Sequence, residues 1–383
     1  MSLDPETREQ LISSVARFVR EKLVPAEDKV STEDRVPDDI IRGMSELGLF
    51  GLSIPTEYGG LGLTMEEEAL VLFELGQTSP AFRSVIGTNV GIGSQGLVMF
   101  GREDQKDYWL PKIASGEVIA SFCLTEPGAG SDAASVRTTA IRKGDVYVVN
   151  GTKRYITNAA KAGAFTLMAR TNPDSKGAGG ISAFFLPSNL KGITVGKPEK
   201  KMGQQGAHIH DVIFENCEVP AECLIGEKEG EGFKLAMQVL DRGRLHIAAV
   251  CVGVSERLVR DSTNYAMERE QFGQRIADFQ MIQAMLADSK MESYAARCMV
   301  LETARKRDQG VNIAMEASCC KLFASEAVGR IADRNVQIHG GAGYVADYAA
   351  ERFYRDVRIF RLYEGTSQIQ QMVIAKSLLR NAG

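Results

Sequence analysis

The chain of 383 residues lacks several features that would mark it for particular chemistry. Its seven cysteines, at 123, 217, 223, 251, 298, 319 and 320, form no Cys-x-x-Cys pair and sit mostly inside apolar stretches. That pattern argues against a redox disulfide and for reduced, buried thiols. Histidines number four, and although His208-Ile209-His210 would set two imidazoles on one face of a strand, no third ligand is in view, so no metal is expected. No uninterrupted apolar run is long enough to span a bilayer, and the opening Met1-Ser2-Leu3-Asp4-Pro5-Glu6 has no basic region followed by an apolar core, so the expectation is a soluble cytoplasmic protein without a membrane span. Lys and Arg total 45 against 49 Asp and Glu, a net charge of -4 with no long block of one sign. Nucleic acid is therefore not an expected partner. Internal repeats and low-complexity segments are missing too.

What is present is core material, 44% apolar residues, enough for two or three domains. Up to about residue 117 the pattern is helical: Leu11, Val15, Phe18, Val19 and Leu23 recur at helical spacing, as do Ile40, Ile41, Met44, Leu47 and Leu49. Breaks are expected at Pro25, at Pro55 to Gly62, at Pro80 and at Pro111, giving four or five helices. From Val118 to about Gly226 the runs become β-rich, with Val146-Tyr147-Val148-Val149, Phe165-Thr166-Leu167-Met168, Ala183-Phe184-Phe185-Leu186 and Val212-Ile213-Phe214. Asn150-Gly151 reads as a hairpin turn, and Ser175 to Gly180 as an exposed loop. Long helical patterns then return, over Phe233–Met267, Phe279–Arg307, Val311–His339 and Ser367–Leu379, and should pack as a bundle. The expected α+β plan is a helical domain over residues 1–117, a barrel-like β domain over 118–226, and a helical bundle over 227–383.

Two segments carry chemistry. In Arg361-Leu362-Tyr363-Glu364-Gly365-Thr366-Ser367-Gln368-Ile369-Gln370, one carboxylate stands between an aromatic residue and a glycine, just before a helix that Thr366 and Ser367 can cap. In Phe122-Cys123-Leu124-Thr125-Glu126-Pro127-Gly128-Ala129-Gly130-Ser131-Asp132, a strand runs into a glycine-bearing turn rich in backbone N–H groups and hydroxyls, suited to an anionic or heteroaromatic cofactor. No βαβ unit surrounds that turn, which excludes a Rossmann domain.

Thr125-Glu126-Pro127-Gly128-Ala129-Gly130-Ser131-Asp132, Lys153-Arg154-Tyr155-Ile156-Thr157-Asn158, Arg269-Glu270-Gln271-Phe272-Gly273, Gln337-Ile338-His339-Gly340-Gly341 and Tyr363-Glu364-Gly365-Thr366 follow one another in this order. That series resembles the acyl-CoA dehydrogenases across essentially the whole chain, and the family's organisation of helical domain, β domain and four-helix bundle agrees with the plan above. The resemblance implies noncovalently bound FAD, a tetramer built as a dimer of dimers, and α,β-desaturation of an acyl-CoA thioester, as in fatty-acid β-oxidation, with electrons passed to an electron-transfer flavoprotein. It further implies that Phe122, Leu124 and Thr125 line the flavin with Gly130 and Ser131 in the adjoining turn. Tyr155 and Thr157 would cover the other side. Arg269, Phe272, Gln280, Gln337 and Gly341 would hold the pyrophosphate and adenine half, partly from a neighbouring subunit, and Thr366 and Gln368 would touch the same cofactor. Glu364 would be the base that takes the α-proton, and its backbone N–H would polarise the thioester carbonyl, between Tyr363 and Gly365.

Some members of the family carry the base on an earlier helix. Here that run reads Leu240-Asp241-Arg242-Gly243-Arg244, and Gly243 cannot be a base, which leaves Glu364. Asp241, Arg244 and Ser131 match residues that contact the CoA moiety, while a helix-face ion pair is the other account of Asp241. Ser79-Pro80-Ala81-Phe82-Arg83-Ser84 resembles a run of the glutaryl-CoA dehydrogenases, in which the arginine receives the substrate's distal carboxylate. Two readings of Arg83 stay open: a lining of the acyl pocket, or a helix start facing solvent or an acid. An acid found upstream in those enzymes is Gly76 here, which argues against decarboxylation. Among rivals of the same fold, Glu364 argues against nitroalkane oxidase chemistry and against a non-redox desulfinase or lyase. The length argues against the large oxidases, and the acidic balance against DNA-associated relatives.

Overall fold

A computed structural model describes residues 2–175, 177–226 and 228–382. The first third is helical: α1 (Pro5–Phe18), α2 (Val24–Glu33), α3 (Asp38–Glu46), α4 (Met65–Leu75), α5 (Pro80–Val90), α6 (Gln95–Phe100) and α7 (Glu103–Ala114). Pro80 starts α5 as expected, with Ser79 as its cap. Two of the expected breaks do not occur. Pro25 follows a π-helical turn, Val19–Leu23, that links α1 to α2 and widens the coil where the proline ring would otherwise meet the preceding carbonyl. Pro111 lies inside α7, whose Leu110, Ile113 and Ala114 are buried against the β domain. That burial offsets the roughly 3 kcal/mol a proline costs within a helix.

Seven strands make one curled sheet: β1 (Ala120–Cys123), β2 (Thr139–Lys143), β3 (Val146–Thr157), β4 (Ala164–Arg170), β5 (Ile181–Pro187), β6 (Ile193–Val195) and β7 (Ile209–Pro220). The order is β1-β4-β2-β3-β7-β6, with β5 also paired to β4. Asn150-Gly151 is not the hairpin turn. It is a bulge inside β3, where the register against β7 shifts between Val149 and Gly151, and a side chain at 151 would run into Thr138. The β2–β3 turn is instead Gly144-Asp145, between the paired Lys143 and Val146, with Gly144 at φ 62. The Ser175–Gly180 segment does connect β4 to β5, though Lys176 lies outside the described residues.

Beyond the sheet come α8 (Gly232–Glu268), a small hairpin of β8 (Glu270–Gln271) and β9 (Gln274–Arg275), α9 (Gln280–Asp308), α10 (Ala314–His339), α11 (Ala350–Val357) and α12 (Ser367–Ala382). α10 packs against α8, α9 and α12, the four forming a bundle, and α4 leans on α8 and α9. One apolar core runs from α1 to α5 through α8 and α10. A second lies between the sheet, α7 and the first turns of α8. The fold is thus a helical part, a curled sheet and a helical bundle, joined along the 37-residue α8. No helix among the described residues is long and apolar enough to cross a membrane. All seven cysteines are free, and Cys298 departs from the expected burial by being exposed.

Candidate active site

Four elements converge on the first third of α8. Phe122 and Leu124, at the end of β1, are buried with Ala129 against Leu235, Val239 and Leu240 of α8. One turn on, Gly243 faces the carboxylate of Glu364: a Cβ at 243 would lie 2.8 Å from Glu364 Oε2. The glycine that the sequence disqualifies as a base is therefore the space in which Glu364 sits. Asn158, at the end of β3, donates from Nδ2 to the Ser84 carbonyl at 2.9 Å and to Thr88 Oγ1 at 3.1 Å, tying the sheet to α5, which carries Arg83.

Glu364 occupies the left-handed region, φ 55, and Gly365 follows at φ 89. A glutamate there is unusual and has to be held in place. Gln370 Nε2 donates to the carbonyls of both Glu364 and Gly365, each at 3.0 Å, and Lys321 Nζ donates to the Gly365 carbonyl at 2.6 Å. Thr366 caps α12 by accepting from the Ile369 N–H, while Ser367, expected to share that role, donates to Glu326 Oε1 instead. The carboxylate Oε2 of Glu364 has no hydrogen-bond partner among the described residues. Burial pushes its pKa above the ordinary glutamate value, and Arg83, Arg244 and Lys321 pull it back down. A desolvated, unpartnered carboxylate in that state is suited to accept a proton.

Arg83 takes neither a solvent-facing position nor an acid partner. Its Nε donates at 2.8 Å to His246 Nε2, and the opposite ring nitrogen, Nδ1, lies 2.7 Å from Glu68 Oε1. Glu68 is ionised, its pKa lowered despite burial by Arg242 and His246, so Nδ1 must carry the imidazole proton and Nε2 accepts. Burial, reinforced by Arg83, drives the His246 pKa down to about 4, which keeps the ring neutral. Arg242 pairs with the other Glu68 oxygen. The arginine is thus a cation held at the site by a neutral acceptor. Arg244 and Asp241 form the helix-face ion pair at 2.6 Å. Gly76 has no room for an acid, because a Cβ there would meet the Val250 carbonyl oxygen at 2.6 Å.

The sequence-derived cofactor residues fall into two groups. Phe122, Leu124, Thr125, Tyr155 and Thr157 lie at neighbouring strand ends, with Arg154 N–H donating to the Thr125 carbonyl and Ser121 Oγ to that of Thr157. Lys153 and Glu126, buried and paired at 2.8 Å, brace the turn beneath them. Tyr155 is 53% exposed at φ 59, in the second register shift of β3. Gly130 and Ser131 are exposed, and beside Gly128 and Gly130 a Cβ would meet nothing within 4 Å, so the turn is open to a ligand. Thr366 and Gln368 open α12 next to Glu364. The second group is elsewhere. Arg269, Phe272 and Gln280 follow the far end of α8, roughly 40 Å from Gly243 at about 1.5 Å per residue. Gln337 and Gly341 join them there, since His339 stacks on Tyr265 with centroids 4.2 Å apart. The chain does not bring these five to Glu364. Sequence reading missed Lys321, Gln370, His246 and Glu68. Gln370 alone had a signal, its place one turn into the helix after the acid.

An open glycine turn beside a buried Phe122–Leu124 wall and a half-exposed tyrosine fits a flat heteroaromatic ring with a polar tail. Among the described residues no cluster of three His, Cys, Asp or Glu side chains is placed to hold a metal. Family models for the acyl-CoA dehydrogenase N-terminal, middle and C-terminal domains match residues 5–117, 121–217 and 230–379. The chain is 41% identical to an acyl-CoA dehydrogenase of Bacillus subtilis over 97% of its own length and 98% of that protein's. It is 40% identical to the caffeyl-CoA reductase-Etf complex subunit CarC of Acetobacterium woodii over 97% and 98%. A solved glutaryl-coenzyme A dehydrogenase complex with glutaryl-CoA superposes with a TM-score of 0.93 at 34% identity, covering 99% of this chain and 96% of that one. The chain belongs to the acyl-CoA dehydrogenase family, FAD-binding oxidoreductases that act on CH–CH bonds.

Proposed function

We propose that this protein desaturates an acyl-CoA thioester between its α- and β-carbons, with Glu364 as the base that removes the α-proton. The observation that carries this reading is the Glu364 carboxylate itself, desolvated, unpartnered at Oε2 and set against Gly243 on a left-handed hinge. Bound FAD supplies the acceptor for the hydride that leaves the β-carbon. Phe122, Leu124, Thr125, Tyr155 and Thr157 would hold the cofactor's ring, Gly130 and Ser131 its approach, and Thr366 and Gln368 its near chain. The Glu364 N–H would stabilise the charge that builds on the thioester carbonyl as the proton departs, between Tyr363 and Gly365. Asp241, Arg244 and Ser131 would meet the CoA portion. A second copy of the chain would bring Arg269, Phe272, Gln280, Gln337 and Gly341 to the cofactor's pyrophosphate and adenine half, because an FAD molecule, even fully extended, is shorter than the separation along α8. That requirement supports a homodimer at the least, and the family's tetramer. The relative that is a subunit of an Etf complex supports an electron-transfer flavoprotein as electron acceptor. The test is anaerobic flavin reduction by acyl-CoA in Glu364→Gln: FAD content should hold while the rate falls by about two orders of magnitude or more. A rate near that of the wild type would refute the assignment.

A second reading concerns the substrate's far end. Arg83 is held by a neutral imidazole rather than a carboxylate, so its guanidinium keeps donors for an anionic group. An acyl chain ending in a carboxylate, as in the glutaryl-CoA complex of the relative above, fits that arrangement. With straight-chain acyl-CoAs of four to sixteen carbons, branched chains and glutaryl-CoA as the panel, bleaching by glutaryl-CoA that Arg83→Ala abolishes would support it. Bleaching by neutral chains, unchanged in Arg83→Ala, would leave a fatty-acyl enzyme whose Arg83 serves only the charge balance around Glu364.

A further inference from the structure

Lys321, on α10, carries no proton in the transfer described above, yet it is a fully buried cation beside the acid. The residue is 0% exposed, and a buried ammonium loses several kcal/mol of hydration unless something replaces the water. The acceptor offered to it is a backbone carbonyl, that of Gly365, the residue directly after the base, at 2.6 Å. Gln370 donates to the same oxygen, and to the Glu364 carbonyl. The two left-handed residues are therefore held through their carbonyls by two side chains, one of them charged, while the carboxylate lies against Gly243.

We propose that Lys321 is a positioning residue for the base: its hydrogen bond locks the Gly365 peptide, which aims Glu364, and its charge behind the hinge favours the ionised carboxylate. This rests on Glu364 being the base. The charged and titratable groups facing the pair come from several elements. α8 contributes Arg244 and Cys251, α5 contributes Arg83, α10 contributes Glu326, and Tyr363 precedes the base. Burial pushes the Cys251 thiol and the Tyr363 hydroxyl up, so both are neutral near pH 7. Burial brings the Lys321 ammonium down to about 8, helped by Arg244 and opposed by Cys251, Glu364 and Glu326. It is still mainly charged at neutral pH, and it opposes the burial that raises Glu364.

The experiment compares Lys321→Met, which removes charge and donor, with Lys321→Gln, which removes the charge and keeps a donor. Both are measured as FAD-loaded protein, by the pH dependence of the anaerobic flavin-reduction rate and by substrate affinity, with Glu364→Gln alongside. The expected result is an acid limb moved to higher pH in both variants. The plateau rate should fall about ten- to a hundredfold in Lys321→Met and less in Lys321→Gln, with substrate affinity little changed. An acid limb that stays in place in both variants, whatever happens to the rate, makes Lys321 a packing residue and overturns the proposal. If Lys321→Met fails to load FAD, the limb of Lys321→Gln decides alone. Glu364→Gln separates the two claims, since a normal rate there sinks the base assignment independently of either lysine variant.

Discussion

The two ends of α8 stand in contrast. At the Gly243 end, the groups around the unpartnered Glu364 carboxylate are buried and answered within the chain: Arg242 and the neutral His246 by Glu68, Arg244 by Asp241, Lys321 by the Gly365 carbonyl. At the Arg269 end the side chains stand in the open, with Phe272 94% exposed at φ 54 on a hairpin, its ring edge-on to Phe279. With Gly273 at φ 78 beside it, Phe272 forms the two-residue turn of the β8–β9 hairpin, so its backbone is set by the turn while its ring is left in solvent. The contrast is between an acid enclosed by groups of its own chain at one end and a set of exposed side chains, Phe272 foremost, at the other; under the proposed function, the second end is the one a further copy of the chain would cover.

The contrast breaks most sharply at Gly243. Gly243→Val should place methyl groups where the Glu364 carboxylate lies, displacing the base by an ångström or more and lowering the flavin-reduction rate about a hundredfold or beyond, with FAD still bound. Stopped-flow reduction together with the absorbance ratio of flavin to protein would check it. At the far end, Phe272→Asp should act on assembly rather than on chemistry. FAD per chain and molar mass in solution should fall together, with FAD affinity weakened about tenfold or more, as light scattering and flavin release would report. Unchanged mass and full FAD would mean that this end is no interface.

The smallest expected effect is on stability. His246 has a folded pKa of about 4 against 6.5 for the free side chain, so its contribution is fully present above pH 6.5 and is lost as pH falls toward 4, where only the unfolded chain binds the proton. Between pH 7 and 5.5 this amounts to about 1 kcal/mol. His246→Gln retains an acceptor for Arg83 and a donor for Glu68 and should flatten the pH dependence of urea unfolding by that amount. An equal slope in both proteins would show that the imidazole is not neutral and buried as described.

How much of this was legible without coordinates varies from element to element. Glu364, Gly365 and Thr366 could be read locally, because a hinge glycine and a capping hydroxyl beside an acid are sequence neighbours. The helical and β-rich stretches were legible from periodicity. The breaks at Pro25 and Pro111 were misread, since a π turn and a buried apolar face override the local cost of proline. The Asn150-Gly151 turn was misread because a bulge and a hairpin call for the same residues. Lys321, His246 and Glu68 had no local signal at all: a lysine in a long helix gives no sign that it is buried, and Glu68 meets His246 across 178 positions.

The sequence by itself determined the order of parts and the family, and it offered Glu364 as candidate base and a set of candidate cofactor residues, since those depend on spacing, turn chemistry and side-chain identity. Only the tertiary structure decided that Gly243 is the room for Glu364, that Arg83 is held by a neutral histidine, that Lys321 bonds the Gly365 carbonyl, and that the candidate cofactor residues divide between two ends of one helix. Burial and distance between remote segments are properties of packing, and no stretch of chain carries them alone.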